Sequence, residues 1–368
     1  MKYRFKDVPM SIAGQEFSKQ SPKELLQYAL GPLLYMPALR LQVVDEILHD
    51  DKENLPAICL DLEDAVSDQA LEIAENSLLQ ILHQLAKAVD ESRIHLDELP
   101  LLFIRFRSPD HMATIASQLS PRELALLTGF TLPKFSRQNA QAYIDSFKTI
   151  QARSPEPLYI LPILESESII RKEGRSEELA ALRTLLSNHQ EDILGIRVGA
   201  TDLSNFYAVR RPIDRTVYEV QVLADCLIEI LNVFGRDYVV SGPVWEYFGT
   251  DGAVGPWSRG LQAEIEADQL NGFFGKTCIH PSQVPYVAKS GLVTFADYRD
   301  ALAILEMEDS LVSVAKSYQQ NRMNEQKPHT NWAKRILSLA QIYGVRAEED
   351  GDMKIADQAR GDDVANSV

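Results

Sequence analysis

Eight short runs of the chain are almost continuously apolar. They are PLLYMPA (32–38), AICLDLE (57–63), LLFIRF (101–106), GFTLPK (129–134), LYILPILE (158–165), ILGIRVGA (193–200), DYVVSGPV (237–244) and GFFGKTCIH (272–280). Unbroken apolarity, rather than alternation, is the pattern of strands covered on both faces, as in parallel sheets. Between the runs the period changes to that of a helix. In DQALEIAENSLLQILHQLAKAV, Leu71, Ala74, Leu78, Ile81, Leu82, Leu85 and Val89 fall on one stripe, and Ser67 stands where an N-cap would. DRTVYEVQVLADCLIEILNVFG predicts a second helix stopping at Gly235, and RGLQAEIEADQLNG a third that leads into the last strand.

Eight strands alternating with crossover segments predict an α/β fold, a (β/α)₈ TIM barrel over residues 1–290. A doubly wound open sheet is the competing arrangement. No GxGxxG or GxxxxGK[ST] loop follows any strand, so the nucleotide-binding versions of that sheet lack their signature. Beyond the barrel, TFADYRDALAILEMEDSLVSVAKSYQQ and NWAKRILSLAQIYGV predict two helices joined by NRMNEQKPHT, a C-terminal helical extension over 291–345. Residues 346–368 read as a mobile acidic tail.

Composition narrows the class of partner. The chain has 368 residues and a net charge of −16, which argues against nucleic acid or an anionic membrane as the main partner. No apolar run approaches the roughly 20 residues that span a bilayer, and the N-terminus lacks the apolar core of a signal peptide. Cys59, Cys226 and Cys278 are odd in number and widely spaced, forming neither a disulfide framework nor a zinc pattern. The expectation is a soluble cytoplasmic protein.

In a barrel enzyme the C-terminal strand ends build the site. There the sequence places Arg40, then Asp61, Glu63 and Asp64, then Arg105 and Arg107, Lys134, Glu165, and Asp202 after Gly199. Carboxylates from the second, fifth and sixth strands converging on one end suit a hard divalent cation such as Mg²⁺, which takes oxygen ligands and keeps several waters. Glu165 and Asp202 are the expected direct ligands; Asp61, Glu63 and Asp64 are expected to hold metal-bound water. The bland alternative is a set of helix caps and solvated rim charges. Arg105, inside an apolar strand, suits a substrate carboxylate or enolate oxygen, or else a structural ion pair with Asp61 or Glu63. Lys134 is either a Schiff-base lysine or, the favoured reading, a partner of the acidic cluster. His280 reads as a core histidine rather than a catalyst. The Trp- and Gly-rich segment 241–260 reads either as a lid or as packing against the last helices.

LLYMPALR, ICLDLEDAVSD, LFIRF, TLPK, LPILES, IRVGATDLS and GFFGKTCIHPSQV, in that order over residues 33–284, resemble the citrate lyase beta-subunit-like and malyl-CoA lyase superfamily. The chain also looks like a divergent bacterial branch of C–C bond lyases associated with tellurite-resistance-type biosynthetic clusters, with KPHTNWAKRILSLAQIYGV supporting that placement. The resemblance implies an oligomeric TIM barrel that makes or breaks a carbon–carbon bond. It implies Mg²⁺ held by Glu165 and Asp202, catalytic roles for Arg105, Asp61, Glu63 and Asp64, and a substrate contact from Arg40 beside Arg105; Arg107 and Lys134 are further expected substrate contacts from their places at the strand ends. The implied partner is a small oxo or hydroxy acid, with phosphate or coenzyme A attachment left open, in a homo-oligomer. Three departures stand out. YALGPLL lacks the arginine usual before the first strand, IRFR puts Arg107 where an asparagine is usual, and the Trp-rich loop replaces an aspartate-bearing stretch. Arg107 thereby suits another anionic group such as a phosphate. The expected chemistry is metal-assisted aldol or Claisen cleavage or condensation through a stabilised enolate, its general base unassigned. The candidates for that base are a metal-bound hydroxide held by Asp61, Glu63 and Asp64, and a carboxylate from the C-terminal helices of a neighbouring subunit, with Asp309 a lesser one. The rival functions are a phosphoenolpyruvate-type phosphoryl-transfer enzyme and a non-catalytic scaffold barrel.

Overall fold

A computed structural model describes residues 1–49, 55–250, 254–309 and 313–347. The chain divides into two compact units. One holds Met1 and the described residues of 17–290; the other holds residues 2–16 and the described residues of 291–347. Residues 2–16, read from sequence as part of the barrel domain, thus group with the C-terminal unit.

In the larger unit, the strands Pro32–Pro37, Ala57–Asp61, Leu101–Arg105, Leu127–Leu132, Tyr159–Leu164, Arg197–Val198 and Lys276–Cys278 form one parallel sheet. They follow chain order across the sheet, except that Lys276–Cys278 lies beside Pro32–Pro37. The two edges are joined through residues 239–242. Val240 bridges Ile196 and Gly242 bridges Lys276, both in parallel. The Ser241 N–H donates to the Ile196 carbonyl at 2.9 Å, and the Gly242 N–H to the Gly275 carbonyl at 2.9 Å. The ring therefore has eight positions and is closed, which removes the edges an open sheet would expose.

The seventh position is irregular for a physical reason. Pro243 has no N–H to give to a ladder, and a Cβ on Gly242 would lie 2.2 Å from an Asp268 carboxylate oxygen. The bare glycine admits that carboxylate, which pairs with Lys276 Nζ at 2.7 Å, while Glu264 pairs with the same Nζ at 3.0 Å. These buried charges tie the last two ring positions to the helix Pro256–Leu270.

The long helix runs Leu71–Asp90 behind a 3₁₀ turn at Asp68–Ala70, and buries Ala74, Leu78, Ile81, Leu82 and Leu85 on the predicted stripe. Ser67 precedes that turn, but its side chain makes no capping bond. The next predicted helix is Gln221–Phe234, ending at Gly235 in ordinary right-handed conformation.

In the smaller unit, the helices Phe295–Glu306 and Gln326–Tyr343 pack through Ala301, Ile304, Met307 and Ala333. Helix was expected to continue to residue 320. Instead Val314–Lys316 pairs antiparallel with Met323–Glu325, inside the expected linker. The turn is held by Arg322, paired with Asp300 at 2.6 Å, and by the Tyr318 N–H donating to Asp300 at 2.6 Å. Met10–Ala13 pairs antiparallel with Gly344–Arg346. The Asp309 side chain and the expected tail from residue 348 lie outside the described residues. Among the described residues no helix is long and apolar enough to cross a membrane.

Candidate active site

A cavity of about 530 Å³ is lined from the C-terminal ends of the strands, among others by Asp61, Asp64, Arg105, Glu165, Arg197 and Asp202. Asp61 and Arg105 end neighbouring strands and stand in register. Arg105 Nε donates to Asp61 Oδ1 at 2.7 Å and Nη2 donates to Oδ2 at 2.6 Å. The Asp61 carboxylate also accepts the backbone N–H of Glu63 at 2.9 Å and of Ala65 at 3.2 Å. The third edge of the guanidinium, Nη1, meets Glu63 at 2.9 Å and Asp64 at 3.4 Å. The acidic tip of the second strand thus faces positive side chains, not primarily a metal. The expectation of water-holding carboxylates is corrected for Asp61, whose two oxygens are already taken.

Lys134 supplies the second positive charge. Its Nζ pairs with Glu63 and lies 3.6 Å from Asp64 and 3.9 Å from Asp202. Burial opposes its charge, but the bond to Glu63 and the nearby acids outweigh that and hold its pKa above the ordinary lysine value. A Schiff-base lysine needs the opposite shift. Its backbone is also used: φ is +50°, an uncommon conformation for a side chain of this size, and its N–H donates to Glu165 Oε1 at 2.9 Å.

Glu165 is buried, and its pKa is pushed up to about 8, first by burial and then by the neighbouring Asp202 charge. Asp202, in the first turn of the helix Ala200–Phe206, is raised too, with burial as the largest cause. Gly199 precedes that helix. A Cβ there would lie 1.8 Å from Glu165 Oε2, so only glycine leaves room for the carboxylate. Two oxygen donors whose charges oppose each other suit a hard divalent cation, which would relieve the repulsion. Among the described residues no group of three or more His, Cys, Asp or Glu gathers to hold an ion by protein ligands alone. The donor set therefore fits Mg²⁺ that keeps waters or substrate oxygens.

Two expected substrate contacts are placed elsewhere. Arg40 pairs with Glu46 and is not part of the cavity lining. Arg107 braces the loop after the second strand: Nε donates to the Leu62 carbonyl at 2.9 Å, Nη2 to the Val66 carbonyl at 2.6 Å, and Nη1 pairs with Asp68. It too is absent from the lining, so its phosphate role has no support in the geometry. His280 stacks on Phe248, with its ring nitrogen engaged to Ser282. In the 241–260 segment Trp245 and Trp257 are packed, whereas Phe248 and Val254 are exposed. Trp245 is fully buried, its indole N–H donates to the Trp257 carbonyl at 3.0 Å, and Gln283 donates to the Trp245 and Tyr247 carbonyls.

The lining also holds residues that were not singled out in the sequence: Tyr35, Arg197 and Thr277. The signal existed. Arg197 interrupts an apolar run in IRV just as Arg105 does in IRF.

The description of C–C bond lyases of the TIM-barrel fold matches residues 24–345, most of the chain. The chain belongs to this family. It is accordingly an enzyme of the carbon–carbon lyase class, as its strand-end motifs predicted, and the family's barrel fold agrees with the closed ring. Among solved structures it is similar to a citrate lyase from Burkholderia xenovorans LB400, at 14% identity and TM-score 0.59, covering 89% of this chain and 95% of that one. It is also similar to the protein CitE from Mycobacterium tuberculosis, solved with magnesium, acetoacetate and coenzyme A, at 20% identity and TM-score 0.52. That match covers 85% of this chain and 99% of the other. These likenesses concern the fold. No curated protein matches the chain significantly.

Proposed function

We propose that this family member cleaves or forms a carbon–carbon bond in a small oxo or hydroxy acid, with Glu165 and Asp202 holding a divalent cation, Mg²⁺, in the cavity. The observation that carries the reading is the Glu165–Asp202 pair. Its two carboxylates share one cavity, each disfavoured in its charged form, with Gly199 kept bare to admit one of them.

When bound, the cation supplies Lewis-acid stabilisation of the enolate oxygen that such a reaction develops. The chain's own residues do the rest. Lys134 fixes Glu165 through its backbone N–H and screens Asp202 through its ammonium. Asp61 and Glu63 hold Arg105 at the cavity wall, leaving its longest contact, to the half-exposed Asp64 at 3.4 Å, as the one a substrate oxygen can displace. Burial opposes the ionisation of Asp64, but bonding with Glu63 and the charges of Arg105 and Lys134 hold its pKa below the ordinary value, which suits it to pairing with these cations rather than to serving as a strong base. The similar M. tuberculosis protein, captured with magnesium and acetoacetate, makes that pair a sensible first trial here.

The test is Glu165→Gln. It should abolish measurable Mg²⁺ binding and turnover while leaving the thermal midpoint at neutral pH nearly unchanged, because the amide resembles the protonated carboxyl that a pKa of about 8 favours there. Wild-type Mg²⁺ affinity in that variant would overturn the ligand assignment.

A further inference from the structure

Arg197 carries a buried positive charge that no carboxylate answers. It is about as deeply buried as Arg105, at 3% exposure, and it lines the same cavity. Nη2 donates to Thr277 Oγ1 at 2.7 Å, and Nε makes no hydrogen bond. Among the described residues it has no ion-pair partner. Tyr35 lies near both guanidinium groups, its ring centre 5.1 Å from that of Arg105 and 5.9 Å from that of Arg197. The ring steadies both cations but cannot neutralise either. The Tyr35 hydroxyl, buried near Thr131, makes no hydrogen bond of good geometry.

A buried, unpaired charge is costly, and a fold keeps one only where something else completes it. Arg105 shows the contrast, since the same kind of group a few strands away is enclosed by three acids. We propose that Arg197, oriented by Thr277 and backed by Tyr35, binds a second carboxylate of the substrate, beyond the oxo-acid end that the cation would take. The substrate class is then a dicarboxylic oxo or hydroxy acid. A carboxylate is favoured over a phosphate because its single negative charge is what one unpaired guanidinium balances. A phosphate dianion would leave charge unbalanced, since Arg105 is already neutralised. The assignment rests on the proposed lyase reading for the oxo-acid end; the anion subsite itself rests on Arg197.

The experiment is calorimetric titration of pyruvate, oxaloacetate and 2-oxoglutarate into wild type, Arg197→Met and Arg197→Lys, each with and without Mg²⁺. At least one dicarboxylate should bind wild type about tenfold or more tighter than pyruvate, the worth of one charge-assisted bond. That advantage should vanish in Arg197→Met and shrink in Arg197→Lys. The affinity for Mg²⁺ should be unchanged, and the Arg197→Met melting temperature should be equal or higher. Equal binding of all three acids by wild type, or a preference that survives in Arg197→Met, overturns the proposal. So does a lowered melting temperature in Arg197→Met with loss of every ligand, which would mark a structural arginine. Failure of Mg²⁺ to alter any of these affinities counts against the metal reading alone, because the preference for dicarboxylates is read in both metal states.

Discussion

Asp61 and Arg105 end adjacent parallel strands in register, and both carboxylate oxygens of Asp61 take guanidinium hydrogens, at 2.7 and 2.6 Å. The pair is buried, so its members depend on each other. Asp61→Ala leaves Arg105 with Glu63 and a long contact to Asp64, and should destabilise the protein by about 3–5 kcal/mol. Urea unfolding measures it. A loss under about 1 kcal/mol would show that Glu63 and Asp64 suffice to hold the arginine. Arg105→Lys keeps the charge but loses the two-pronged geometry, and should lose turnover and some stability together.

Gly199→Ala isolates the space around Glu165. The glycine has a negative φ, near −102°, so alanine meets no left-handed penalty there and the close approach to Glu165 dominates the effect. A methyl group would lie 1.8 Å from Glu165 Oε2 and must displace the carboxylate. Mg²⁺ affinity should fall by about tenfold or more, with a cooperative unfolding transition retained. Unaltered affinity would mean that Glu165 is not a ligand.

The acidity of Glu165 makes a pH prediction. In the metal-free protein its pKa is raised from the usual 4.5 to about 8. Over that window the folded state binds more protons than the unfolded one, so this group's contribution to stability is full below about 4.5 and is lost as pH rises through about 8. A cation needs the ionised form, so binding at neutral pH should release a proton, and affinity should climb until pH passes about 8. Calorimetry in buffers of different ionisation heat reads the proton release. Affinity independent of pH between 6 and 9, roughly, would contradict it.

Lys134 is expected to form no imine. Its ammonium is held by Glu63 and its pKa is raised, the reverse of what a nucleophilic amine needs. Borohydride reduction with pyruvate, followed by intact mass measurement, should show no adduct. An adduct lost in Lys134→Arg would replace the metal mechanism with a covalent one.

Much of this was legible in the sequence because it depends on local pattern. Unbroken apolar runs placed the strands, and the change to helical period placed Leu71–Asp90. The order of strand-end motifs pointed to the family. The pairing partners were less legible, because a barrel brings its strand ends together only after closure. Arg40 and Arg107 looked equivalent to Arg105 in the chain, yet one turns to Glu46 and the other braces the Leu62–Asp68 loop. Arg197 was overlooked because it sits inside an apolar run whose acidic successor, Asp202, drew the chemistry. The hairpin at Val314–Glu325 was not legible because its strands are three residues each, too short to carry a period, and its turn is held by contacts to Asp300 on a preceding helix.

The proposed reaction needs a cation and an oxo acid bound together at Glu165 and Asp202. Its most direct test is calorimetric titration of Mg²⁺ into metal-stripped protein, with and without pyruvate, oxaloacetate or acetoacetate. Mg²⁺ is expected to bind alone and to bind more tightly with an oxo acid present, and both effects should disappear in Asp202→Ala. Absence of Mg²⁺ binding under every condition, or binding that Asp202→Ala leaves intact, would contradict it.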